Sequence, residues 1–379
     1  MKIVQITTDA RAHYRQYDRP EPYFGTAPQA LLEGFAADRN VEVHVVSCSQ
    51  VPMRAPARIA SNIYYHLLLV PPFGWLRTGY QGCVRAVRRK ISELQPDIVH
   101  GQGTERDCAI SAVFSGKPNV LTVHGNMRLI ARLNGARPFS FEWLAARLES
   151  FTLPRTDGVV CITRYTQQAV SGLARRTWLL PNAVDGSFFA VAAKPEMPPV
   201  VLCVGLISRR KNQNSLIQAL DEVAARHPLR MVFLGHVPDD PFGREFRELV
   251  GARRWCEYAG FAERGTLREW LARASALALP SLEDNCPMAV LEAMATGVPV
   301  MAANVGGVPD LVEDGVTGVL CDPLDPTSMA RGIETLLTDL SLAAKAVDNG
   351  RRQARARFHP RAVAQRHVEV YEEILRTRA

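Results

Sequence analysis

Two acidic residues eight positions apart, Asp284 and Glu292, are placed where a folded chain can bind a polar ligand. An apolar strand is predicted at Ala276–Leu279, and Asp284 lies in the loop that follows it. Pro287 suits the first turn of a helix, where a missing N–H costs nothing. Gly297 ends that helix, because glycine is favoured just past a helix C-terminus. Glu292 therefore falls on the second turn of a short helix.

The loop ahead of this helix is predicted to bind an anion. The first N–H groups of a helix have no partner inside the helix, and anions bind there readily. The residues that would form this cradle are Asn285, Cys286, Pro287 and Met288. A purely structural interpretation remains, in which Glu292 is a solvated side chain and Asp284 belongs to an ordinary turn.

The segment from Pro280 to Asp310 resembles the signature of the retaining family 4 glycosyltransferases (glycosyl transferases group 1), which have the GT-B fold. The resemblance rests on the spacing of the two acids, the Leu-Glu-Ala-Met-Ala helix and the Gly-Gly-Val-Pro-Asp turn after it. It implies that Glu292 binds the ribose hydroxyls of a nucleotide sugar and that Asp284 faces the donor sugar. Asp284 stands where glutamate is usual, so its reach is one methylene shorter.

A basic loop follows the strand predicted at Val200–Val204. The family has Gly-Arg there and a lysine five residues after that arginine, and these cations bind the diphosphate. Lys211 matches the lysine, whereas Leu206 stands at the arginine position. Either Arg209 or Arg210, on the same loop, can supply the second cation. The alternative is a solvated basic loop with no ligand.

Two residues of the first half stand where the resemblance implies ligand contacts. His124 follows the strand predicted at Asn119–Val123, where the family has a histidine beside the donor sugar; a structural capping residue is the alternative. Gly25 precedes a helix, at the place of the family's glycine loop, and an ordinary turn is equally compatible with it. Residues 101–103 begin like a dinucleotide fingerprint, but Arg106 replaces the third glycine, which argues against an NAD site.

Short apolar strands alternate with helices along the chain, which predicts an α/β protein with doubly wound parallel sheets. Ligands of such sheets bind beyond the carboxyl ends of the strands, and the residues named above follow strands. We expect the GT-B architecture, two Rossmann-like domains facing a cleft. Residues 1–190 would form the acceptor side and residues 191–359 the donor side, and a C-terminal helix at 360–379 would cross back to the first domain. The other predicted strands are Lys2–Thr7, Val41–Val46, Asp97–His100, Gly158–Ile162, Thr177–Leu180, Leu229–Leu234, Cys256–Ala259, Val298–Met301 and Gly318–Cys321.

The composition is that of a soluble protein: of 379 residues, 47% are hydrophobic and 22% charged. The start of the chain is predicted to be a strand and not a signal peptide. Eight cysteines without a Cys-x-x-Cys pair favour reduced thiols in a cytoplasm. The chain has no Asp-x-Asp motif and its histidines are scattered, so we expect no metal and no cofactor.

The net charge of +7 is concentrated in the first half. Residues 1–190 carry 22 Lys and Arg against 14 Asp and Glu, whereas residues 191–379 carry 23 against 24. No nucleic-acid-binding motif accompanies this charge, so nucleic acid is not expected as a partner. The aromatic segment Ile63–Leu76 beside the basic helix predicted at Tyr80–Leu94 indicates an anionic membrane surface. A buried strand followed by a solvated helix is the alternative.

Together these features predict a retaining glycosyltransferase that moves a sugar from a UDP- or GDP-linked donor to a hydroxyl of a saccharide or lipid-linked acceptor. The expected pathway is surface polysaccharide or lipid-linked saccharide synthesis. The expected location is the cytoplasm, peripherally on the inner face of the cell membrane. The residues assigned to catalysis are His124, Lys211 and Asp284. Two alternatives remain: a sugar-nucleotide epimerase or hydrolase of the GT-B fold, and a non-catalytic nucleotide-sugar binding protein with two domains.

Overall fold

The computed structural model describes residues 1–378, which divide into two compact units. Unit 1 comprises Met1–Asp185 together with the segment from His359 onward, and unit 2 comprises Gly186–Phe358. Each unit is built around its own twisted sheet, with helices packed against it.

Unit 1 contains an eight-stranded sheet in the order β3-β4-β2-β1-β5-β6-β7-β8. All neighbouring strands are parallel except β3, which pairs antiparallel with β4. Because both faces of a parallel sheet are covered, its strands are nearly continuous apolar runs. The strands are β1 Lys2–Ile6, β2 Glu42–Ser49, β3 Arg58–Ala60, β4 Ile63–Leu69, β5 Ile98–Gln102, β6 Asn119–Val123, β7 Val159–Cys161 and β8 Thr177–Leu179.

Helices cover both faces of this sheet. Successive residues of β1 point to opposite faces, so Ile3 packs in one apolar cluster and Val4 in the other. Local capping defines several helix starts; for example, Ser140 accepts a hydrogen bond from the backbone N–H of Trp143 at the start of α5. The helices are α1 Thr26–Ala36, α2 Gln81–Leu94, α3 Asp107–Val113, α4 Met127–Leu133, α5 Phe141–Thr152 and α6 Arg164–Val170.

The aromatic segment Ile63–Leu76 is divided between two environments. Its first part forms β4, paired in register with β2, as the buried-strand alternative expects. Its second part forms short 3-10 turns ahead of α2, where Phe73 is 75% exposed. Helix α2 buries Val84, Val87 and Ile91 and exposes its arginines.

Unit 2 contains a six-stranded, entirely parallel sheet in the order β11-β10-β9-β12-β13-β14. The order reverses direction at β9, so the loops after β9 and β12 open side by side at the carboxyl edge, where ligands of such sheets bind. The strands are β9 Val200–Val204, β10 Arg230–Leu234, β11 Cys256–Tyr258, β12 Ala276–Leu279, β13 Val300–Ala303 and β14 Val319–Cys321.

The helices of unit 2 pack on both faces of its sheet. Asp240 caps α9 by accepting a hydrogen bond from Gly243 N–H, and Pro241 occupies the first helical position. Among the described residues, no helix combines the length and the apolar character needed to cross a membrane. The helices are α7 Gln213–Ala219, α8 Asp221–Arg226, α9 Pro241–Gly251, α10 Arg264–Arg273, α11 Met288–Thr296, α12 Pro326–Thr338 and α13 Leu340–Arg357.

The last helix, α14 (Pro360–Arg378), belongs to unit 1 and packs along α1. A Cβ atom at Gly34 would lie 2.1 Å from the carbonyl oxygen of Pro360, so the two helices meet this closely because Gly34 lacks a side chain. The ring of Tyr371 lies 6.3 Å from that of Phe35, centroid to centroid, in the same buried cluster. The α14 segment is thus an integral part of the core of unit 1.

Candidate active site

The loops after β9 and β12 bring Lys211 and Asp284 into direct contact. Lys211 Nζ lies 2.5 Å from Asp284 Oδ2, and the two side chains are 14% and 10% exposed. Ser281 Oγ donates a second hydrogen bond to the same carboxylate oxygen at 3.0 Å. The backbone N–H of Leu282 donates to the carbonyl of Arg210 at 2.8 Å, which holds the two loops together. A cation and an anion of opposite loops are therefore fixed at the carboxyl edge of the sheet.

The Gly-Gly turn after β13 holds the Asp284 loop from the other side. Gly306 has a φ of +54°, and a Cβ atom there would lie 2.0 Å from the carbonyl oxygen of Asp284. The next N–H, that of Gly307, donates to the same oxygen at 3.0 Å. A larger residue at position 306 would displace Asp284, so the turn serves to position this carboxylate.

The two arginines before Lys211 have different surroundings. Arg210 Nη1 donates to the carbonyl oxygen of Glu283 at 2.9 Å and lies 3.8 Å from Asp284 Oδ1. Its side chain is 52% exposed, so its guanidinium remains accessible to a ligand. Arg209 begins the 3-10 turn and is exposed. Leu206, at the position of the family arginine, is also exposed. The structure thus brings Arg210, and not Arg209, against the Asp284 loop.

Helix α11 begins one residue later than the sequence predicts. Pro287 is the N-cap residue and Met288 is the first helical residue. Asn285 and Cys286 precede it, and Cys286 is buried. The helix ends at Gly297 in a left-handed conformation (φ +85°), as predicted. The loop that is predicted to bind an anion is therefore followed by a helix N-terminus, close to Asp284 in the sequence.

Glu292 lies on α11 and is almost fully buried. Its carboxylate pairs with Arg264 of α10, Nη1 to Oε1 at 3.3 Å, and its side chain is 4% exposed. The Arg264 guanidinium also lies 5.0 Å from the ring centroid of Phe188. The sequence gives no sign of this pairing, because Arg264 begins a different helix and is one of many arginines.

In unit 1, His124 follows β6 and hydrogen-bonds to Gln102 at the end of β5, Nε2 to Oε1 at 2.8 Å. Burial lowers the pKa of His124 to about 4, although its hydrogen bond with Asn182 acts in the opposite direction. The ring is therefore neutral at physiological pH. From the sequence, Gln102 is considered only as part of a dinucleotide fingerprint, so its contact with His124 is not predicted. Its position at the end of a strand was the feature that could have indicated a site residue.

Gly25 is the N-cap residue of α1, with a φ of +82° that favours glycine. The polar loop before it is held by a buried ion pair, Arg11 Nη2 to Asp9 Oδ2 at 2.6 Å. Tyr65 donates a further hydrogen bond to Asp9 at 2.7 Å, and Arg11 Nη1 donates to the carbonyl of Arg19 at 2.6 Å. Gly25 thus ends a well-anchored loop in unit 1, in the same unit as His124, whereas the other candidate residues belong to unit 2.

In the part of the chain that the structure describes, one group of potential metal ligands lies apart from these residues, in the core of unit 1. The ligand atoms of Cys48, Cys83 and Asp107 lie within 4.8 Å of one another, and all three residues are buried. The hydrogen bond with Cys83 and burial raise the pKa of the Cys48 thiol well above its usual value. Cys48 and Cys83 also pack in the apolar cluster on one face of the sheet.

Two α/β units, one with a largely parallel sheet of eight strands and one with a parallel sheet of six, match the GT-B architecture of glycosyltransferases. Two family models match the chain, Glycosyl transferases group 1 over residues 185–353 and Glycosyltransferase Family 4 over residues 29–188. The chain belongs to the group 1 glycosyltransferases of the GT-B fold, a family of enzymes.

Known proteins resemble the chain in sequence and in structure. An uncharacterized glycosyltransferase of Methanocaldococcus jannaschii is 27% identical over 173 residues, which are 46% of this chain and 44% of that protein, so the match spans less than half of the relative. The sucrose-phosphate synthase of Thermosynechococcus elongatus has a TM-score of 0.78 at 20% identity over 100% of both chains. Anabaena HepE, solved in complex with UDP-glucose, has a TM-score of 0.71 at 20% identity and covers 98% of this chain and 100% of its own.

Proposed function

We propose that the chain is a retaining glycosyltransferase that transfers a sugar from a nucleoside-diphosphate sugar to a hydroxyl of an acceptor. The observation that supports this best is the contact of Lys211 with Asp284 at the carboxyl edge of the sheet in unit 2. Both residues stand at family positions for donor binding. The complex of the structural neighbour HepE with UDP-glucose favours the same class of donor.

The chemical demand of the reaction is stabilisation of a departing diphosphate while the sugar becomes oxocarbenium-like. We assign this task to Lys211, to Arg210 and to the N-terminus of α11, because charge-assisted hydrogen bonds to phosphate are strong. Such contacts raise the rate when they strengthen as the bond breaks. Asp284 and His124 orient the donor sugar, and Glu292 binds the ribose. No protein nucleophile is nominated.

The acceptor is proposed to be a saccharide or lipid-linked saccharide at an anionic membrane surface. Unit 1 has a groove of about 550 Å³ that is lined by apolar and aromatic side chains together with Arg147 and Arg155. Arg155 lies 3.9 Å above the ring of Phe151 in this groove. The exposed Phe73 and the exposed arginines of α2 are on the same unit. The groove residues are Leu76, Gly79, Tyr80, Leu144, Arg147, Leu148, Ser150, Phe151 and Arg155.

Two other functions share the fold, a sugar-nucleotide epimerase or hydrolase and a non-catalytic binding protein. Incubation of the protein with UDP- and GDP-sugars, without acceptor, separates an enzyme from a binder, because an enzyme releases diphosphate slowly. An acceptor that accelerates this release identifies a transferase. An epimerase would instead return a changed nucleotide sugar.

A nucleoside diphosphate should stabilise the protein against unfolding, because it binds the native site and not the unfolded chain. At a hundredfold excess over the dissociation constant the gain is about 2.7 kcal/mol. Thermal unfolding with UDP, GDP and ADP at millimolar concentration measures this. If none of the three raises the melting temperature, the donor site is assigned wrongly.

Replacing Glu292 by glutamine should weaken nucleotide binding by roughly 1.5–3 kcal/mol, the cost of losing a charge-assisted hydrogen bond. The helix should persist, because glutamine and glutamate have similar helix propensity. Titration calorimetry measures the change, with Glu269→Gln on the exposed face of α10 as the control. If folded Glu292→Gln protein binds the nucleotide with an unchanged dissociation constant, Glu292 pairs with Arg264 and does not bind the ribose.

Charge reversal of Arg85, Arg88 and Arg89 together should abolish binding to anionic vesicles and leave nucleotide affinity intact. Each of these exposed cations near a membrane surface contributes about 1 kcal/mol. Sedimentation with vesicles at low salt measures binding. The matched control reverses three exposed arginines of unit 2, Arg331, Arg352 and Arg355, which changes the net charge equally. Wild-type protein that does not bind such vesicles excludes the membrane proposal.

A further inference from the structure

A run of hydrogen bonds links His124 to the interior of unit 1. Gln102 contacts His124 through Oε1 and approaches His100 through its amide nitrogen, Nε2 to Nδ1 at 3.5 Å. The hydroxyl of Tyr371, on α14, lies 2.6 Å from the same nitrogen of His100. His100 Nε2 lies 2.7 Å from Thr122 Oγ1. All members of this run except His124 are buried, so they cannot exchange these partners for water.

The donors and acceptors in this run determine where the protons are. A carboxamide oxygen accepts and does not donate, so His124 must carry its proton on Nε2. Both neighbours of His100 Nδ1 can donate: Tyr371 O–H, at 2.6 Å, takes the single lone pair of this nitrogen, and the amide nitrogen of Gln102, at 3.5 Å, makes only a weak contact with it. His100 then carries its proton on Nε2 and donates to Thr122. Both rings are thereby assigned the same neutral tautomer.

The surroundings of these rings disfavour a positive charge. Burial lowers the pKa of His100 well below its usual value, and that of His367, stacked 5.5 Å from it, to about 4. His124 and His367 each disfavour protonation of His100, and Arg366 disfavours protonation of His367. Burial raises the pKa of Tyr371 well above its usual value, so its hydroxyl stays neutral and can donate.

We propose that Gln102 is a positioning residue that fixes His124 as the neutral Nε2–H tautomer, with Tyr371 and His100 holding Gln102 from behind. The proposal rests on the proposed function in one respect, that His124 contacts the donor sugar. A donor sugar gains positive charge as its bond to the diphosphate breaks, so a protonated His124 would oppose the reaction. A carboxamide suits this position because it accepts from Nε2–H without adding a negative charge that would favour the imidazolium form.

The wild-type protein tests the assignment without substrate. Histidine-selective ¹⁵N labelling and NMR distinguish the two tautomers and the imidazolium form, and His124→Gln identifies the signals of His124 among the nine histidines. We expect the Nε2–H tautomer at pH 7. A spectrum of the Nδ1–H tautomer, or of two exchanging tautomers, overturns the proposal.

Two substitutions of Gln102 test whether this residue fixes the tautomer of His124. In Gln102→Glu the new carboxylate faces Nε2–H, so the pKa of His124 should rise by about two units or more. The ring is then protonated below that raised pKa, and turnover should fall as the pH is lowered from 7 to 5, where the wild type, with a His124 pKa of about 4, is nearly flat. In Gln102→Met, which adds no charge, the Nε2–H group loses its acceptor while the hydrogen bond with Asn182 remains, so the ring should no longer be held in the Nε2–H tautomer alone. We expect kcat to fall about tenfold, the effect of about 1.4 kcal/mol, with little change in the donor KM.

The matched control is Gln5→Met on the neighbouring strand β1. Gln5 is opposite His100 in the sheet register and is buried, and its amide has no partner among the described residues. Its substitution should leave the His124 signals unchanged. Folded Gln102→Glu protein whose His124 still titrates below pH 5 contradicts the proposal, as does Gln102→Met with an unaltered tautomer. A protein with the expected tautomer and no transferase activity contradicts the proposed function alone.

Discussion

Lys211→Ala should lower turnover by a factor on the order of a hundred or more, the loss seen when one donor to a developing anion is removed. The departing diphosphate carries two to three negative charges. Lys211 Nζ is already held at the loop beside α11, where its low exposure keeps water from screening it. Diphosphate release from UDP- and GDP-sugars measures the effect. Lys345→Ala, on the exposed face of α13, is the control and should behave as wild type.

The same substitution has a second consequence, because Lys211 is also the partner of Asp284. Without the ammonium group, Asp284 keeps the hydrogen bond from Ser281 but loses its nearest cation. Lys211→Arg keeps a cation beside Asp284 and is the control for this charge imbalance. If Lys211→Ala retains the melting temperature of the wild type while its turnover falls, the loss is catalytic. Folded Lys211→Ala protein with wild-type turnover would remove Lys211 from the proposed mechanism.

Much of the fold can be predicted from the sequence because parallel strands are short apolar runs between helices. The strands at Asn119–Val123, Val200–Val204 and Ala276–Leu279 have the predicted bounds. The predicted strand at Val298–Met301 is shifted and forms at Val300–Ala303, since an apolar run does not define its own ends. Strand β4 was predicted only as an alternative to a membrane-binding segment, because the apolar run continues past its end.

Of the contacts made by the site residues, the sequence predicts one and gives no indication of two others. A lysine and an aspartate after neighbouring strands, Lys211 and Asp284, can be expected to meet, because the carboxyl ends of parallel strands share one edge. The pairing of Glu292 with Arg264 and that of His124 with Gln102 join side chains from separate elements. Composition and periodicity carry no information on such long-range partners, so these contacts require the structure.

Of the two arginines before Lys211, Arg210 should supply the second cation and Arg209 should be dispensable. Arg210 Nη1 lies against the backbone of Glu283 and near the carboxylate of Asp284, so its guanidinium is already at the loop that precedes α11. A guanidinium can hold two phosphate oxygens at once, which suits a diphosphate. Arg210→Ala should therefore lose about a hundredfold in turnover. Arg209→Ala, at an exposed position, should retain nearly all of it.

The salt dependence of donor binding distinguishes this role from a structural one. Arg210 is half exposed, so mobile ions screen its charge more effectively than that of the largely enclosed Lys211. The donor KM of the wild type should rise with ionic strength, and Arg210→Ala should lose a part of this dependence that Arg209→Ala retains. Arg210→Lys keeps the charge without the two-oxygen grip, so it should recover the salt dependence more fully than the turnover. If Arg209→Ala is the more damaged variant, or if both arginine variants have full activity, Arg210 does not replace the family arginine.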